Sequence, residues 1–333
     1  MVNSVLKISI LMPVYNVERY IERTLNSLIA QSYKGAMECI MVNDCSTDSS
    51  RDVIESVISR YEQSPKSNDI TFKIVDHLEN MGVASARNTC LRAASGDYLY
   101  FLDSDDDIIP ECIELLVDLA EKYRGVDIVQ GRRFSVVDGV ARTDDYSEKN
   151  HPEYSCDKEW IYKNYFRPRA VWNRLMRRSF IFDNQLFFKD GIVYEDSYWS
   201  LIASAHIKSI AFCSTPTYQY RVNEDSITTT KYRDKDYISR LKMLLETFIS
   251  PPPAMINRED IIPDLLIEIV NQRRYVTPNQ LRDYLGYLRI YQDTMLTLIK
   301  SPITSLRYKL GFRYILSSPS LIKIFIVKRL FGF

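Results

Sequence analysis

Apolar and polar positions follow two alternating periods along the first 110 residues. Short, nearly continuous apolar runs are typical of buried strands, and four of them lie at residues 7–16, 38–44, 71–77 and 97–103. Between these runs, apolar residues recur at helical spacing, with charged residues on the opposite face. Strands that alternate with helices predict βαβ units and a mainly parallel sheet flanked by helices.

The pattern is less regular after residue 110. Residues 127–137 read as a strand, residues 153–166 as a helix, and residues 170–181 as a turn followed by a helix. From about residue 226 the pattern becomes helical, interrupted by the prolines of "SPPPA". We therefore predict an α/β domain over residues 1–225 and a helical extension over residues 226–333.

The fourth apolar run ends in a dense group of carboxylates. The stretch "DYLYFLDSDDD" places Asp103, Asp105, Asp106 and Asp107 directly after a strand. Two carboxylates about 5 Å apart repel by roughly 3 kcal/mol at an effective dielectric of about 20, so solvent or a cation should offset the repulsion. Because ligands of parallel sheets bind beyond the carboxyl ends of the strands, we expect these acids at a binding site.

Three interpretations of this acidic stretch remain open. Asp103 and Asp105 form an acid-x-acid pair that suits Mg²⁺ or Mn²⁺ together with phosphate oxygens. A calcium loop would use Asp103, Asp105, Asp107 and Glu114, but its turn glycine is replaced by Ile108. The third interpretation is a solvated acidic turn that precedes a helix.

Other candidate residues also follow predicted strands or begin helices. Asp44 could accept a hydrogen bond from a nucleoside base, or could be an ordinary turn residue. Arg87, in the first turns of the helix after Gly82, could bind a diphosphate or form a salt bridge. Glu195 and Asp196 precede an apolar helix, where a carboxylate could act as a general base or only complement the helix dipole.

The bulk composition narrows the class of protein. The 333 residues include 43 basic and 43 acidic side chains, so net charge gives no reason to expect a nucleic-acid partner. Six scattered cysteines without a CxxC pair favour reduced thiols in the cytosol. We expect no signal peptide, because the N-terminus enters a strand pattern by Ile8 and lacks a basic stretch followed by an apolar one. We expect no membrane-spanning helix, because no uncharged apolar run reaches about 18 residues.

Charge is nevertheless uneven, because residues 294–333 contain no acidic residue. Leucine, isoleucine, phenylalanine and tyrosine separate seven basic residues, which are Lys300, Arg307, Lys309, Arg313, Lys323, Lys328 and Arg329. This pattern predicts a basic, amphipathic tail that lies on an anionic membrane surface. The alternative is a helical hairpin packed on the rest of the protein with its cations in solvent.

Six segments, in order, resemble glycosyltransferase family 2, the large family of inverting sugar transferases with the GT-A fold. They are "ISILMPVYNVERYI", "MVNDCSTDSS", "ENMGVASARNTCLRAASGDYLYFLDSDD", "VWNRLMRRSFI", "GIVYEDSYW" and "YQYRVNEDSIT". The last three are similar to enzymes that build bacterial capsule, lipopolysaccharide and exopolysaccharide chains. The QxxRW signature of processive synthases is absent, so we expect one sugar to be added per encounter.

The resemblance implies a nucleotide-binding half over about residues 1–110 and an acceptor half over about residues 111–225. It also implies roles for individual residues. The residues implied to bind the nucleotide sugar are Pro13, Val14, Tyr15 and Glu18 at the base pocket, Asp44 on uracil, Arg87 on the diphosphate, and Asp103 and Ser104 near the ribose. Asp105, with Asp103, would hold Mn²⁺ or Mg²⁺, Asp196 would be the catalytic base, and Trp172, Asn173 and Glu195 would lie at the acceptor side. Cys45 departs from the family pattern, which has glycine at this position, so the base-binding loop is expected to differ.

The activity implied is transfer of a sugar from a nucleotide-diphosphate donor, with UDP expected, to a glycan or polyprenyl-diphosphate-linked glycan. Such an enzyme of cell-surface polysaccharide synthesis would work in the cytoplasm, at the inner face of the plasma membrane. One alternative is a scaffold protein on an inactive GT-A fold. Another is a sugar nucleotidyltransferase, but "MPVYNVERY" lacks the expected glycine-rich, triphosphate-binding loop.

Overall fold

A computed structural model describes residues 5–64, 68–137, 140–143, 151–165, 170–192 and 195–221. The predicted helical extension, with its basic tail, lies outside the described residues, and its boundary stays a prediction. Among the described residues, no helix has the length and apolar character needed to cross a bilayer.

The first half of the chain forms the predicted βαβ units. Its elements are β1 (Ile8–Val14), α1 (Ile21–Ile29), β2 (Ala36–Asn43), α2 (Ser50–Gln63), β3 (Asp69–Asp76), α3 (Val83–Ala93) and β4 (Tyr98–Phe101). The four strands are parallel, in the order β3-β2-β1-β4. Every residue of β1 is buried, because helices cover both faces of the sheet and a central strand therefore needs a continuous apolar run.

The second half adds a mixed region to the same sheet. Its elements are β5 (Asp107–Ile108), α4 (Cys112–Lys122), β6 (Ile128–Val137), β7 (Val140–Thr143), β8 (Tyr154–Ser155), α5 (Lys158–Tyr165), β9 (Arg174–Arg177), α6 (Arg178–Asp183), α7 (Glu195–Ser204) and β10 (Ile210–Gln219). The strand order continues from β4 as β9-β6-β10-β5, with β7 on β6 and β8 on β10. Strand β9 is antiparallel to both neighbours, whereas β10 runs parallel to β6.

The structure corrects two expectations for this half and adds a strand that the sequence pattern did not predict. The predicted helix over residues 153–166 begins with strand β8 and is helical only from Lys158. The predicted turn and helix over residues 170–181 contain strand β9 before α6 begins at Arg178. Strand β10 was not predicted. In β9, Leu175 and Met176 are fully buried between strands β4 and β6, so tertiary pairing outweighs the local helical spacing.

The helices divide into two layers, one on each face of the sheet. Buried side chains of α1, α2 and α4 form one core with Ile10 and Met12 of β1. Buried side chains of α3, α5, α6 and α7 form the other core with Leu11 and Phe101. Helices α3 and α7 therefore share a face, although more than 100 residues separate them, and this brings Arg87 near the Glu195–Asp196 pair.

Candidate active site

The loops that follow β1 and β2 interlock at the carboxyl edge of the sheet. The Asn16 N–H donates to Ser46 Oγ at 3.1 Å, and the Thr47 N–H donates to Asn16 Oδ1 at 2.8 Å. Both loops contain a left-handed residue, Asn16 with a φ of 52° and Cys45 with a φ of 59°. The cysteine that replaces the family's glycine thus adopts the backbone region in which glycine is favoured.

Asp44, predicted to hold uracil, fixes the entry to helix α3. Its Oδ1 accepts from the Met81 N–H at 2.9 Å and lies 2.6 Å from His77 Nδ1. Its Oδ2 accepts from the Gly82 N–H at 2.8 Å. Only 3% of the side chain is exposed. Asp44 therefore positions the loop between β3 and α3, a task that the sequence did not reveal, and its contact with a base stays a prediction.

The other residues predicted at the base pocket differ in how much of the side chain is accessible. Pro13 and Val14 are buried, because they belong to the central strand, so their side chains do not line a surface pocket. Tyr15 is 47% exposed. Glu18 is also exposed, and its Oε2 accepts from the Ser49 N–H at 2.9 Å, just before α2. Of these four residues, Tyr15 has the side chain best placed to contact a base.

The four acids of "DSDDD" divide into two pairs. Asp106 turns inward, where Oδ2 accepts from the Tyr218 hydroxyl at 2.7 Å and Oδ1 accepts from the Arg221 N–H at 2.8 Å. Asp107 accepts from Arg23 Nε at 2.9 Å and from Arg221 Nε at 2.5 Å. These two residues therefore hold strands β5 and β10 together.

Burial raises the pKa of Asp106 to about 8, and the negative charges of Asp103 and Asp105 contribute to this increase. The repulsion among these carboxylates thus appears in the pKa of Asp106, which solvent does not reach.

Asp103 and Asp105 form the outward pair. The Asp103 side chain is 26% exposed, and Asp105 is partly exposed. Ser104 between them is buried, and its carbonyl accepts from Thr24 Oγ1 at 3.1 Å, which anchors the turn to α1. The Asp105 carbonyl is held in the same way by Arg23 Nη2 at 2.8 Å. The backbone is thus fixed, while the side chains of Asp103 and Asp105 both remain partly exposed.

This arrangement removes one of the three interpretations of the acidic stretch. A calcium loop is excluded, because Asp107 is engaged by two arginines and Glu114 accepts from the Ser32 hydroxyl. No cluster of three or more metal-ligating side chains occurs among the residues that the structure describes. Two accessible carboxylates do fit Mg²⁺ or Mn²⁺, which take one or two protein carboxylates and complete their shell with phosphate oxygens and water.

Arg87, predicted to approach the diphosphate, lies between Asp103 of the nucleotide-binding half and Glu195 of the acceptor half. Its Nη1 donates to Glu195 Oε1, and its Nη2 donates to Asp103 Oδ1 at 3.3 Å. Only 6% of its side chain is exposed. Arg87 thus joins the carboxylate after β4 to the first residue of α7.

The Glu195–Asp196 pair occupies the first turn of α7. Glu195 is buried, and Asp196 is partly exposed. Burial raises the pKa of Asp196, while the positive charges of Arg87 and Arg174 act in the opposite direction. Arg174 in β9 is 2% exposed and was not predicted as a site residue. A carboxyl with a raised pKa is a stronger base, which suits the predicted role of Asp196.

The structure corrects the prediction that Asn173 lies at the acceptor side. Asn173 is fully buried, with a φ of 57°. Its Oδ1 accepts from the hydroxyls of Tyr100 and Thr217 at 3.2 and 2.9 Å, and its Nδ2 donates to the Arg132 carbonyl at 2.9 Å. Asn173 therefore joins three strands beneath the surface and cannot touch an acceptor.

Asn173→Ala should lower the free energy of unfolding by about 2–4 kcal/mol, because it leaves buried polar groups unpaired. Urea unfolding followed by tryptophan fluorescence would measure this loss. The matched control is Asn26→Ala on the exposed face of α1, which should change stability by no more than about 0.5 kcal/mol. Equal effects of the two substitutions would contradict this structural role.

Trp172, beside Asn173, is partly exposed and belongs to an aromatic group. Its ring stacks on Tyr218 with a centroid distance of 4.7 Å and on Tyr220 at 5.9 Å. The Arg133 guanidinium lies 5.5 Å from the Trp172 ring and 5.3 Å from the Tyr220 ring. Because Tyr218 also bonds Asp106, this aromatic group is continuous with the acidic loop.

Sequence comparisons identify relatives that are described as glycosyltransferases. The family described as "Glycosyl transferase family 2" matches residues 9–192, which is more than half of the chain. The putative glycosyltransferase EpsH of Bacillus subtilis is 32% identical over 242 residues, covering 71% of this chain and 66% of EpsH. Glycosyltransferase GlyA of Streptococcus pneumoniae is 29% identical, covering 67% of this chain and 31% of GlyA. The chain thus spans less than two thirds of the length of both relatives.

Solved structures show the same fold at low sequence identity. S. aureus TarS 1–349 in complex with UDP-GlcNAc matches with a TM-score of 0.72 and 19% identity, covering 98% of this chain and 90% of TarS. The mannosyltransferase PcManGT from Pyrobaculum calidifontis, in complex with GDP-Man and Mn²⁺, matches with a TM-score of 0.55 and 13% identity, covering 99% and 88%. These similarities confirm the predicted α/β architecture of the GT-A type.

Proposed function

Because the chain belongs to glycosyltransferase family 2, we propose that it transfers a sugar from a nucleotide-diphosphate donor to an acceptor hydroxyl, with inversion. The observation that carries this proposal is the junction of two acidic groups through Arg87. Asp103 comes from the end of a parallel strand, where nucleotides bind, and Glu195–Asp196 come from a helix of the acceptor half. A donor acid and a base-bearing helix thus lie side by side.

Asp196 is the proposed general base. It takes the proton of the acceptor hydroxyl as the oxygen attacks the anomeric carbon, on the side opposite the departing nucleoside diphosphate. A single displacement of this kind inverts the configuration, so an α-linked donor gives a β-linked product. Positioning and electrostatic stabilisation supply most of the expected rate enhancement.

Asp103 and Asp105 would hold Mn²⁺ or Mg²⁺, since both side chains are partly exposed and hydrogen bonds to the backbone fix the turn that carries them. When bound, such an ion neutralises negative charge that grows on the departing diphosphate. Thr24 and Arg23 contribute by fixing the backbone of the turn, so the carboxylates need little rearrangement on donor binding.

We propose UDP as the nucleotide and a glycan or polyprenyl-diphosphate-linked glycan as the acceptor, in cell-surface polysaccharide synthesis. The TarS complex contains UDP-GlcNAc, and one relative is TuaG of Bacillus subtilis, described as a putative teichuronic acid biosynthesis glycosyltransferase, 42% identical over 99 residues. The partly exposed rings of Trp172 and Tyr220 would contact acceptor sugar rings.

Thermal shift with UDP, GDP, dTDP and CMP, each with and without Mn²⁺, tests the donor. A ligand at about 100 times its dissociation constant stabilises the protein by about 2.7 kcal/mol. The proposal expects this shift with UDP plus Mn²⁺. If GDP were the one nucleotide that stabilised the protein, GDP would replace UDP in the proposal. If no nucleotide stabilised it, a scaffold protein on an inactive fold would be favoured.

We further propose that the enzyme is cytoplasmic and peripheral to the inner face of the plasma membrane, held there by the basic tail of residues 294–333. The support is its one-sided charge, since each basic residue near an anionic surface contributes about 1 kcal/mol. A lipid-linked acceptor would lie at this surface.

Replacing Lys323, Lys328 and Arg329 by glutamine should weaken binding to vesicles that contain phosphatidylglycerol by roughly 100-fold, measured by co-sedimentation. The matched control removes three charges from the exposed surface of the α/β domain, at Arg19, Lys73 and Arg124, and should bind nearly as wild type. Equal losses in both variants, or binding that needs no anionic lipid, would contradict a membrane role for the tail.

A further inference from the structure

We propose that Arg87 is a positioning residue. Through simultaneous bonds to Asp103 and Glu195, it holds the first turn of α7, which carries the proposed base Asp196, at a fixed place relative to the donor site. This inference rests on the proposed function and assigns Arg87 a task other than diphosphate binding. The evidence is the geometry of the guanidinium, its burial, and the second contact made by the next residue along α3.

The planar guanidinium uses its two terminal nitrogens in different directions. Nη1 donates to Glu195, 108 residues further along the chain, and Nη2 donates to Asp103, 16 residues away. A lysine ammonium has no such fork, so it cannot reproduce both bonds with the same geometry. The bond angle of the guanidinium thus sets the distance between the two carboxylates.

Burial makes these bonds difficult to exchange. The side chains of Arg87 and Glu195 are 6% and 10% exposed. The guanidinium also lies 5.5 Å from the ring of Phe188, which shields it on one side. Arg87 Nε is buried, without a hydrogen-bond partner among the described residues. The hydrogen bonds described for Arg87 are therefore those that its terminal nitrogens make to the two acids.

Asn88, the next residue of α3, holds the segment before α7. Its Nδ2 donates to the Phe188 carbonyl at 2.8 Å, and its Oδ1 accepts from the Phe188 N–H at 2.8 Å. The Phe188 ring stacks on Trp199 of α7 with a centroid distance of 5.5 Å. Asn88 thus holds α7 against α3 through Phe188, and Arg87 holds the first turn of α7 through Glu195.

The charges around Asp196 explain how a change at Arg87 would reach the chemistry. Among the described residues, Arg87 from α3, Arg174 from β9 and Asp103 from the loop after β4 act on Asp196, with Glu195 beside it on α7. Arg87 lowers the pKa of Asp196 against the increase that burial causes. Removing Arg87 should therefore raise that pKa further, so that the base is protonated at higher pH.

The test compares Arg87→Gln, Arg87→Lys and the double variant Arg87→Gln/Glu195→Gln with wild type. The control is Arg92→Gln, on the same helix, because Arg92 is exposed and lies over the Phe187 ring. Calorimetry gives the dissociation constant of UDP with Mn²⁺. Release of UDP from UDP-GlcNAc, UDP-glucose or UDP-galactose, whichever wild type hydrolyses fastest, gives turnover at saturating donor as a function of pH.

The substitutions are expected to change turnover but not the affinity for UDP. Arg87→Gln should lower saturated turnover by about 100-fold, as for a misplaced catalytic group, while UDP affinity changes by less than about threefold. The acidic limb of its pH profile should move to higher pH. Arg87→Lys should recover the limb, since it restores the charge, but only part of the turnover. The double variant should be no slower than Arg87→Gln, because the same link is already broken.

The double variant also protects the test against misfolding, since it removes both buried charges together. A loss of UDP affinity of about 30-fold or more, with normal saturated turnover, would overturn the positioning role and assign Arg87 to the diphosphate. An unchanged pH profile and turnover would overturn it as well. Wild type that binds no nucleotide would overturn the proposed function itself, and the role of Arg87 with it.

Discussion

Replacing Asp196 by asparagine is expected to lower turnover by about 10³-fold, with UDP affinity within about threefold of wild type. The amide keeps the size and much of the hydrogen bonding of the side chain but cannot take a proton from the acceptor hydroxyl. The loss should therefore appear in the step of bond formation and not in donor binding. Steady-state UDP release at saturating donor, with calorimetry for UDP affinity, measures both quantities.

The pH profile provides a second test of the same assignment. Burial raises the pKa of Asp196, so wild-type turnover should fall as the pH drops through a value above the ordinary range of an aspartate. This limb should be absent from the residual activity of Asp196→Asn. The control is Asp190→Asn, an exposed acid six residues earlier, which should keep both turnover and the acidic limb. Normal turnover in Asp196→Asn would make the base assignment wrong.

The parallel half of the sheet could be predicted because its signals are local. Each of its strands is a mostly apolar run, and helices with their own apolar stripes lie between the strands. The carboxyl-edge loops could therefore be placed together before any contact was known. The same rule brought Asp44, Asp103 and Asp105 to one edge. The mixed half lacked this regularity, and the four residues of β9 are a strand only because β4 and β6 lie on either side.

The sequence could not indicate which polar side chains face a ligand and which face the protein. Asp103 and Asp106 are three positions apart in one acidic run, yet only Asp106 meets a tyrosine 112 residues away. Asn173 adjoins a partly exposed tryptophan but is fully buried. Contacts of this separation depend on the final packing of both halves. Arg87 was predicted as a site residue but Asn88 was not, and the partners Glu195 and Phe188 that these two side chains bind lie about 100 residues further along the chain.

The division of the acidic run predicts that two aspartates two positions apart respond oppositely to substitution. Asp105→Asn should remove the stabilisation by UDP plus Mn²⁺, because one of the two carboxylates proposed to bind the metal is lost. If affinity falls about 100-fold, the stabilisation at the same UDP concentration drops from about 2.7 to about 0.4 kcal/mol. The melting temperature without ligand should change little, since the Asp105 carboxylate is partly exposed.

Asp107→Asn should show the reverse. Its carboxylate binds Arg23 and Arg221, so the ligand-free protein should melt at a lower temperature, while the additional stabilisation by UDP and Mn²⁺ stays near 2.7 kcal/mol. Thermal shift of the two variants, with and without ligand, measures all four values. If Asp107→Asn lost the ligand response and Asp105→Asn kept it, the metal would have to be assigned to the inward pair. Arg23 and Arg221 would then have to release Asp107 when the donor binds, and their ion pairs with Asp107 would belong to the ligand-free state alone.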